Sequence, residues 1–334
     1  MKPHGKKAVK LGYENVTRLL NEAGILARVL WEGLLLPVLG LRPAGALYVP
    51  GELPDAGEIM RSVGQLFTER VQLGSGRGST PVRFLLDRAL LTVYRLILPP
   101  AFYRAKVAEM SFNDILEKVH SYQAHLSWAE TLGLRVYQVS ARPNAREVFF
   151  FADPATRRQL EAATAVRHRV RRRTLRHLDA AKVRTFMVYP EELSPEYVEL
   201  MGKVLGYPEC CIKAYIHDRQ NESFYPEVRA ARQLGEVQVG PEPPYAYFAR
   251  NFVPCRPDCP EASAIGRRAA ASLQEVDPRL GRAYLDGLVR NREAIRRAPE
   301  LIAKREKVIA AHLGQAAEAG SMVDTDVGTG EEEP

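Results

Sequence analysis

Apolar residues recur at helical spacing over most of the chain and alternate like strands in only a few short stretches. Residues 15–41 predict a helix capped by Asn15 or Thr17, with the apolar run from Ile25 to Leu41 buried and Pro37 as its kink or stop. Gly45 to Val49 predicts a short strand closed by Pro50 and Gly51. Helical spacing returns over 55–73, over 82–98 up to Pro99 and Pro100, and over 111–132 with Ser111 as cap. Leu134–Val139 and Glu147–Phe151 predict two strands around a turn at Pro143-Asn144, the best hairpin pattern in the chain. Asp153-Pro154 opens a helix to about 179, and Arg184–Tyr189 predicts another strand. Ser194-Pro195-Glu196 is a strong helix start, with a cap and then proline in the first turn, and Gly206 ends that helix.

The last third predicts helices over 261–275, 277–297 and 299–313, then a small, polar, acidic tail over 314–334 that is expected to be disordered. The sum is an α+β fold, mostly helical, with a small sheet. The expected organisation is a helical region over 1–130, an α+β cysteine-motif domain with C-terminal helices over 131–313, and the tail.

Composition narrows the function. With 334 residues, 46% hydrophobic, the chain can bury a core without disulfide staples. No cleavable apolar segment follows the basic start, and the most apolar window, interrupted by Arg28, Glu32 and Pro37, is too short and charged to span a membrane. The expectation is a cytoplasmic protein, no membrane partner, and reduced thiols. The net charge of +7 permits a polyanion partner without establishing one.

The chemistry concentrates in four cysteines, all within 210–259. Pro208 suits the start of a helix, which puts Cys210 and Cys211 in a first turn, where free N–H groups and the helix dipole favour thiolates. Cys255 and Cys259 lie in a proline-stiffened loop, Val-Pro-Cys-Arg-Pro-Asp-Cys-Pro, and three intervening residues let both reach one centre. Buried structural thiols are the plain alternative, and a redox dithiol is another. Adjacent helical residues diverge by about 100°, so an iron–sulfur cluster is expected over zinc. Zinc remains the alternative, with His217 or Asp258 as a substitute ligand if only one of the adjacent pair binds. Lys213 and Arg256 are expected to stabilise a negative cluster.

The Gly-Tyr-Pro-Glu-Cys-Cys segment, with Pro-Cys-Arg-Pro-Asp-Cys after a gap, resembles the "domain of unknown function 483" family of prokaryotic proteins over about 195–262. The resemblance implies that Cys210, Cys211, Cys255 and Cys259 act together, and it carries no activity with it. Related sequences can have a histidine shortly before the second pair. Asn251 and Phe252 stand there in this chain, which implies four-thiolate ligation.

Beyond the cysteines, residues 166–177 hold six arginines without an acid: Arg167, Arg169, Arg171, Arg172, Arg173 and Arg176. Guanidinium forks suit phosphate, so this stretch is the expected anion site, for RNA or another anionic substrate, against the plainer reading of a solvated helix face. Tyr245, Tyr247, Phe248 and Phe252 read as a shell over the centre or as a stacking surface. His120 and His125 do not share a helix face and read as structural or surface residues. The glycine-rich run 74–80 lacks a phosphate-loop ending. Two functions follow. One is redox or modification chemistry on an anionic substrate at an iron–sulfur centre. The other is a non-enzymatic, zinc-stabilised nucleic-acid-binding module.

Overall fold

Four apolar residues in succession, Val148 to Phe151, leave no polar position to face water, and all four are buried. Topology explains this. The strands β1 (Ala44–Val49), β2 (Arg135–Arg142) and β3 (Ala145–Phe151) form an antiparallel sheet in the order β1-β3-β2, so β3 is the central strand. Ala44 and Arg135 both pair with Phe151, and the β2–β3 register shifts between Ser140 and Arg142. The expected hairpin is present, turning at Pro143-Asn144. This computed structural model describes residues 13–73, 81–174, 188–221, 225–237, 240 and 242–321.

Helices make up most of the rest, so the fold is α+β, mostly helical, with a small sheet. Two expected helices are each divided. The first stops at Leu20 and resumes at Ala27. Between them the Glu22 carboxylate accepts the Gly24 N–H at 3.1 Å and the Trp128 indole N–H at 3.2 Å, a local capture that competes with helical bonding. The resumed segment passes through a π-helical stretch, Leu30–Leu35, before Pro37. The helix expected over 111–132 is two, Pro100–Leu116 and His120–Thr131, with Val119 extended between them. Pro100 opens the first of these, so Pro99-Pro100 both ends one helix and starts the next.

The chain forms two compact units. One comprises Met1–Leu160, Val204–Gly206 and Arg267–Gly287 and contains the sheet. The other comprises Glu161–Lys203, Tyr207–Gly266 and Leu288–Pro334 and contains all the cysteines. This division leaves the β2–β3 hairpin in the first unit.

In the second unit, Val188 and Tyr189 are not strand and lead into a 3-10 turn, Pro190–Leu193. The expected strand's remainder, 184–187, lies outside the described residues, as does the run 74–80. A helix that sequence periodicity did not reveal, Pro226–Glu236, follows the cysteine helix. The final helix runs Pro278–Ser321 through Pro299, where a break was expected, and continues past 313. The remainder of the expected tail, 322–334, lies outside the described residues. Among the described residues no helix is long and apolar enough to cross a membrane.

Candidate metal centre

The Pro195–Val204 helix ends at Gly206, whose φ of 70° is left-handed. The Tyr207 N–H then reaches back to the Gly202 carbonyl at 2.8 Å, the bond that closes a Schellman turn. That turn delivers Pro208 as the N-cap of the Glu209–Gln220 helix. A Cβ on Gly202 would lie 2.6 Å from Ile212, so the absence of a side chain there lets the two helices approach closely. Cys210 and Cys211 occupy the first turn as expected. Cys259 immediately precedes Pro260, which opens the Pro260–Val276 helix, and its carbonyl accepts the Ser263 N–H at 2.9 Å. Two helix N-termini therefore supply the site with three of its four sulfurs, with their positive dipole ends at the thiols.

The sulfurs converge. Cys210 Sγ lies 3.8 Å from Cys211 Sγ and 3.7 Å from Cys259 Sγ, and Cys211 Sγ lies 3.6 Å from Cys259 Sγ. The Cys255 N–H donates to Cys211 Sγ at 3.4 Å, and all four sulfurs lie within 4.8 Å of one another. Four sulfurs around one tetrahedral ion at ~2.3 Å are separated by about 3.8 Å. Adjacent helical residues diverge by about 100° around the axis, yet these two sulfurs lie 3.8 Å apart and both contact Cys259 Sγ. Cys211 and Cys259 are buried, Cys210 and Cys255 half-buried.

Burial, followed by contact with the Cys259 thiol, pushes Cys210 up to about 12, and burial pushes Cys211 higher still. Burial also opposes ionisation of Cys259, but the Ala262 N–H and the neighbouring thiols outweigh it and hold this thiol below its ordinary value. Ionisation is thus easier at Cys259 than at Cys210 or Cys211, and holding several thiolates side by side requires a cation among them.

The loop carrying Cys255 is held by Arg229 from the Pro226–Glu236 helix. Arg229 Nη1 donates to the Cys255 carbonyl at 2.7 Å and Nη2 to the Pro254 carbonyl at 3.1 Å. Its Nε donates to Asp218 Oδ2 at 2.7 Å, on the helix that carries Cys210 and Cys211. The same helix is anchored by Tyr215 and Arg219, which donate to Glu192 Oε2 at 3.0 and 2.9 Å. Tyr207, Phe248 and Phe252 pack together, with centroids of 4.8 Å for Tyr207–Phe252 and 4.5 Å for Phe248–Phe252. Tyr247, Phe248 and Phe252 are buried, which leaves those rings no open stacking face.

Other expected participants lie elsewhere. His217 is exposed and accepts from the Asn221 amide, and Asp258 is exposed and pairs with Arg256 at 3.3 Å. Lys213 pairs with Glu209 at 2.6 Å. Neither His217 nor Asp258 belongs to the sulfur group. In the other unit, His125 is buried, with Nδ1 2.7 Å from the Ser121 carbonyl, and His120 is exposed.

The arginine run divides by direction. Arg167 is buried and pairs with the buried Glu191 at 2.9 Å, also donating to Tyr197. Arg171 donates through Nε to Glu191 at 2.9 Å. Arg169 pairs with Glu196 at 3.1 Å on the surface. Arg172 and Arg173 are exposed, and Arg176 lies outside the described residues. Half of the run is thus engaged by acids distant in sequence, which composition alone does not show.

Residues 162–279 match the family described as "Protein of unknown function (DUF483)", a span that includes the four cysteines, Asp218 and Arg229. No curated protein and no solved structure matches the chain.

Proposed function

We propose that residues 162–279, the segment that matches the DUF483 family, are built around one metal ion held by Cys210, Cys211, Cys255 and Cys259. The ion is zinc, bound as a closed structural site that ties the 254–259 loop to two helix ends. The carrying observation is the mutual spacing of the sulfurs, all within 4.8 Å, with three pairs at 3.6 to 3.8 Å. That spacing matches a tetrahedron around a single ion. An iron–sulfur cluster distributes its thiolates over separate irons and requires a wider set. Four protein thiolates also leave no open coordination position, which fits a structural role better than a catalytic one. Purified protein should be colourless with one zinc per chain. Brown protein containing inorganic sulfide would refute the reading.

A second role for the same unit rests on its uncommitted cations. In the final helix, Arg290, Lys304, Arg305 and Lys307 are exposed, and among the described residues no ion pair engages them. Arg290 and Lys304 lie on one helix face with exposed Leu301 and Val308. This surface is suited to the phosphates of a nucleic acid, and Arg172 and Arg173 are two further exposed cations of the same unit. Electrophoretic or anisotropy titrations against single- and double-stranded RNA and DNA test it, and absence of salt-sensitive binding would remove it.

A further inference from the structure

We infer that Arg229 is a positioning residue for the metal centre, a clamp that governs how readily the ion is lost. The inference rests on the metal reading above and extends it to a residue that supplies no ligand atom.

Cys255 lacks the backbone support that the other three cysteines have. Cys210, Cys211 and Cys259 belong to helix ends, so their backbones are held by regular hydrogen bonds. Cys255 lies in a segment without helix or strand, half-buried, between Pro254 and Arg256. Its place near the other sulfurs depends on whatever holds its backbone. Its own N–H is directed at Cys211 Sγ. Its carbonyl, and that of Pro254 before it, both accept from Arg229.

A planar guanidinium can make this connection in a way that an ammonium cannot. Its two terminal nitrogens take adjacent carbonyls while its Nε faces Asp218, about two helix turns beyond Cys211. Asp218 is buried, and the Arg229 side chain is 12% exposed, so solvent does not readily replace these bonds. Gln233 Oε1 accepts from Nη1 at 2.8 Å and steadies the guanidinium from its own helix. The Cys210–Cys211 helix, the Cys255 loop and the Pro226–Glu236 helix therefore share one side chain. Outer groups that orient ligands typically change metal affinity by about 10–100-fold when removed.

Removing one member of a buried ion pair can unfold a protein outright. The informative variant is therefore Arg229→Lys, which keeps a cation beside Asp218 but cannot fork onto both carbonyls. The charge-neutral double variant Arg229→Gln/Asp218→Asn is the companion. Zinc content of the wild-type protein is measured first, then transfer of zinc to a chromogenic chelator is followed for all three proteins. Far-UV circular dichroism is recorded in saturating zinc.

The clamp predicts one zinc per chain in each folded variant, native circular dichroism, and release at least roughly tenfold faster than wild type. Release at the wild-type rate from a folded variant would overturn it. So would failure of both variants to fold in saturating zinc, because a retention clamp is dispensable once metal is in excess. Wild-type protein that binds no metal would instead refute the metal reading on which the clamp rests.

Discussion

Cys210 Sγ and Cys211 Sγ, on neighbouring residues of one helix, lie 3.8 Å apart and both contact Cys259 Sγ. They are not equivalent. Cys211 is buried and accepts the Cys255 N–H, whereas Cys210 is half-buried. Cys211→Ser should lower metal affinity by at least about a hundredfold, roughly 3 kcal/mol, and lower the unfolding temperature with it. Cys210→Ser should lose less of both. Chelator competition and thermal melts check this, and equal losses would show two interchangeable ligands.

Affinity should depend on pH. At neutral pH the metal-free protein holds protons on Cys210, pushed up to about 12 by burial, and on Cys211, raised further in the same direction. Binding must displace those protons, so acid favours the metal-free form. Apparent affinity should fall by roughly tenfold per pH unit for each proton displaced. A chelator titration between about pH 6 and about pH 8 reads the slope. An affinity flat with pH would mean that these thiols do not ligate as thiolates.

Glu191 should behave as a stability residue. It is almost fully buried and faces both Arg167 and Arg171. Glu191→Ala leaves a buried guanidinium without its counter-charge and should cost about 3–5 kcal/mol in denaturant unfolding. Zinc content should stay at wild-type level under native conditions. A shift below about 1 kcal/mol would place the pair in the weak class of surface bridges.

If the final helix meets nucleic acid, changing Arg290, Lys304, Arg305 and Lys307 to glutamine should weaken binding and flatten its salt dependence. Each lost phosphate contact removes about 0.9 from the logarithmic slope on duplex DNA. The same change at Arg167 and Arg171 should instead lower stability, because these side chains face Glu191. Equal loss of binding without loss of stability at Arg167 and Arg171 would return the interface to that run.

The sequence announced the cysteines well. Their clustering, the Pro208 start and the prolines around Cys255 are local features, and local geometry followed from them. The hairpin at Pro143-Asn144 was legible for the same reason. What escaped was set by tertiary contact. The strand at Glu147–Phe151 was legible, but its central place between β1 and β2 was not, because that pairing joins segments far apart in sequence. The arginine run read as one basic face because Glu191 and Glu196 lie about twenty residues or more downstream. The Pro226–Glu236 helix was missed although Tyr225-Pro226-Glu227 resembles the helix start at Ser194-Pro195-Glu196, with Ala230 and Leu234 one turn apart on the buried side. Arg229 was missed with it. The preference for an iron–sulfur centre rested on the divergence of about 100° between adjacent helical residues, whereas the two Sγ atoms lie 3.8 Å apart.

X-ray absorption at the metal edge of the purified protein, with metal and sulfide analysis on the same sample, tests the single-ion centre most directly. A single-ion centre requires one zinc per chain surrounded by four sulfurs at ~2.3 Å, with no neighbouring metal. A short metal–metal distance with stoichiometric sulfide would contradict it.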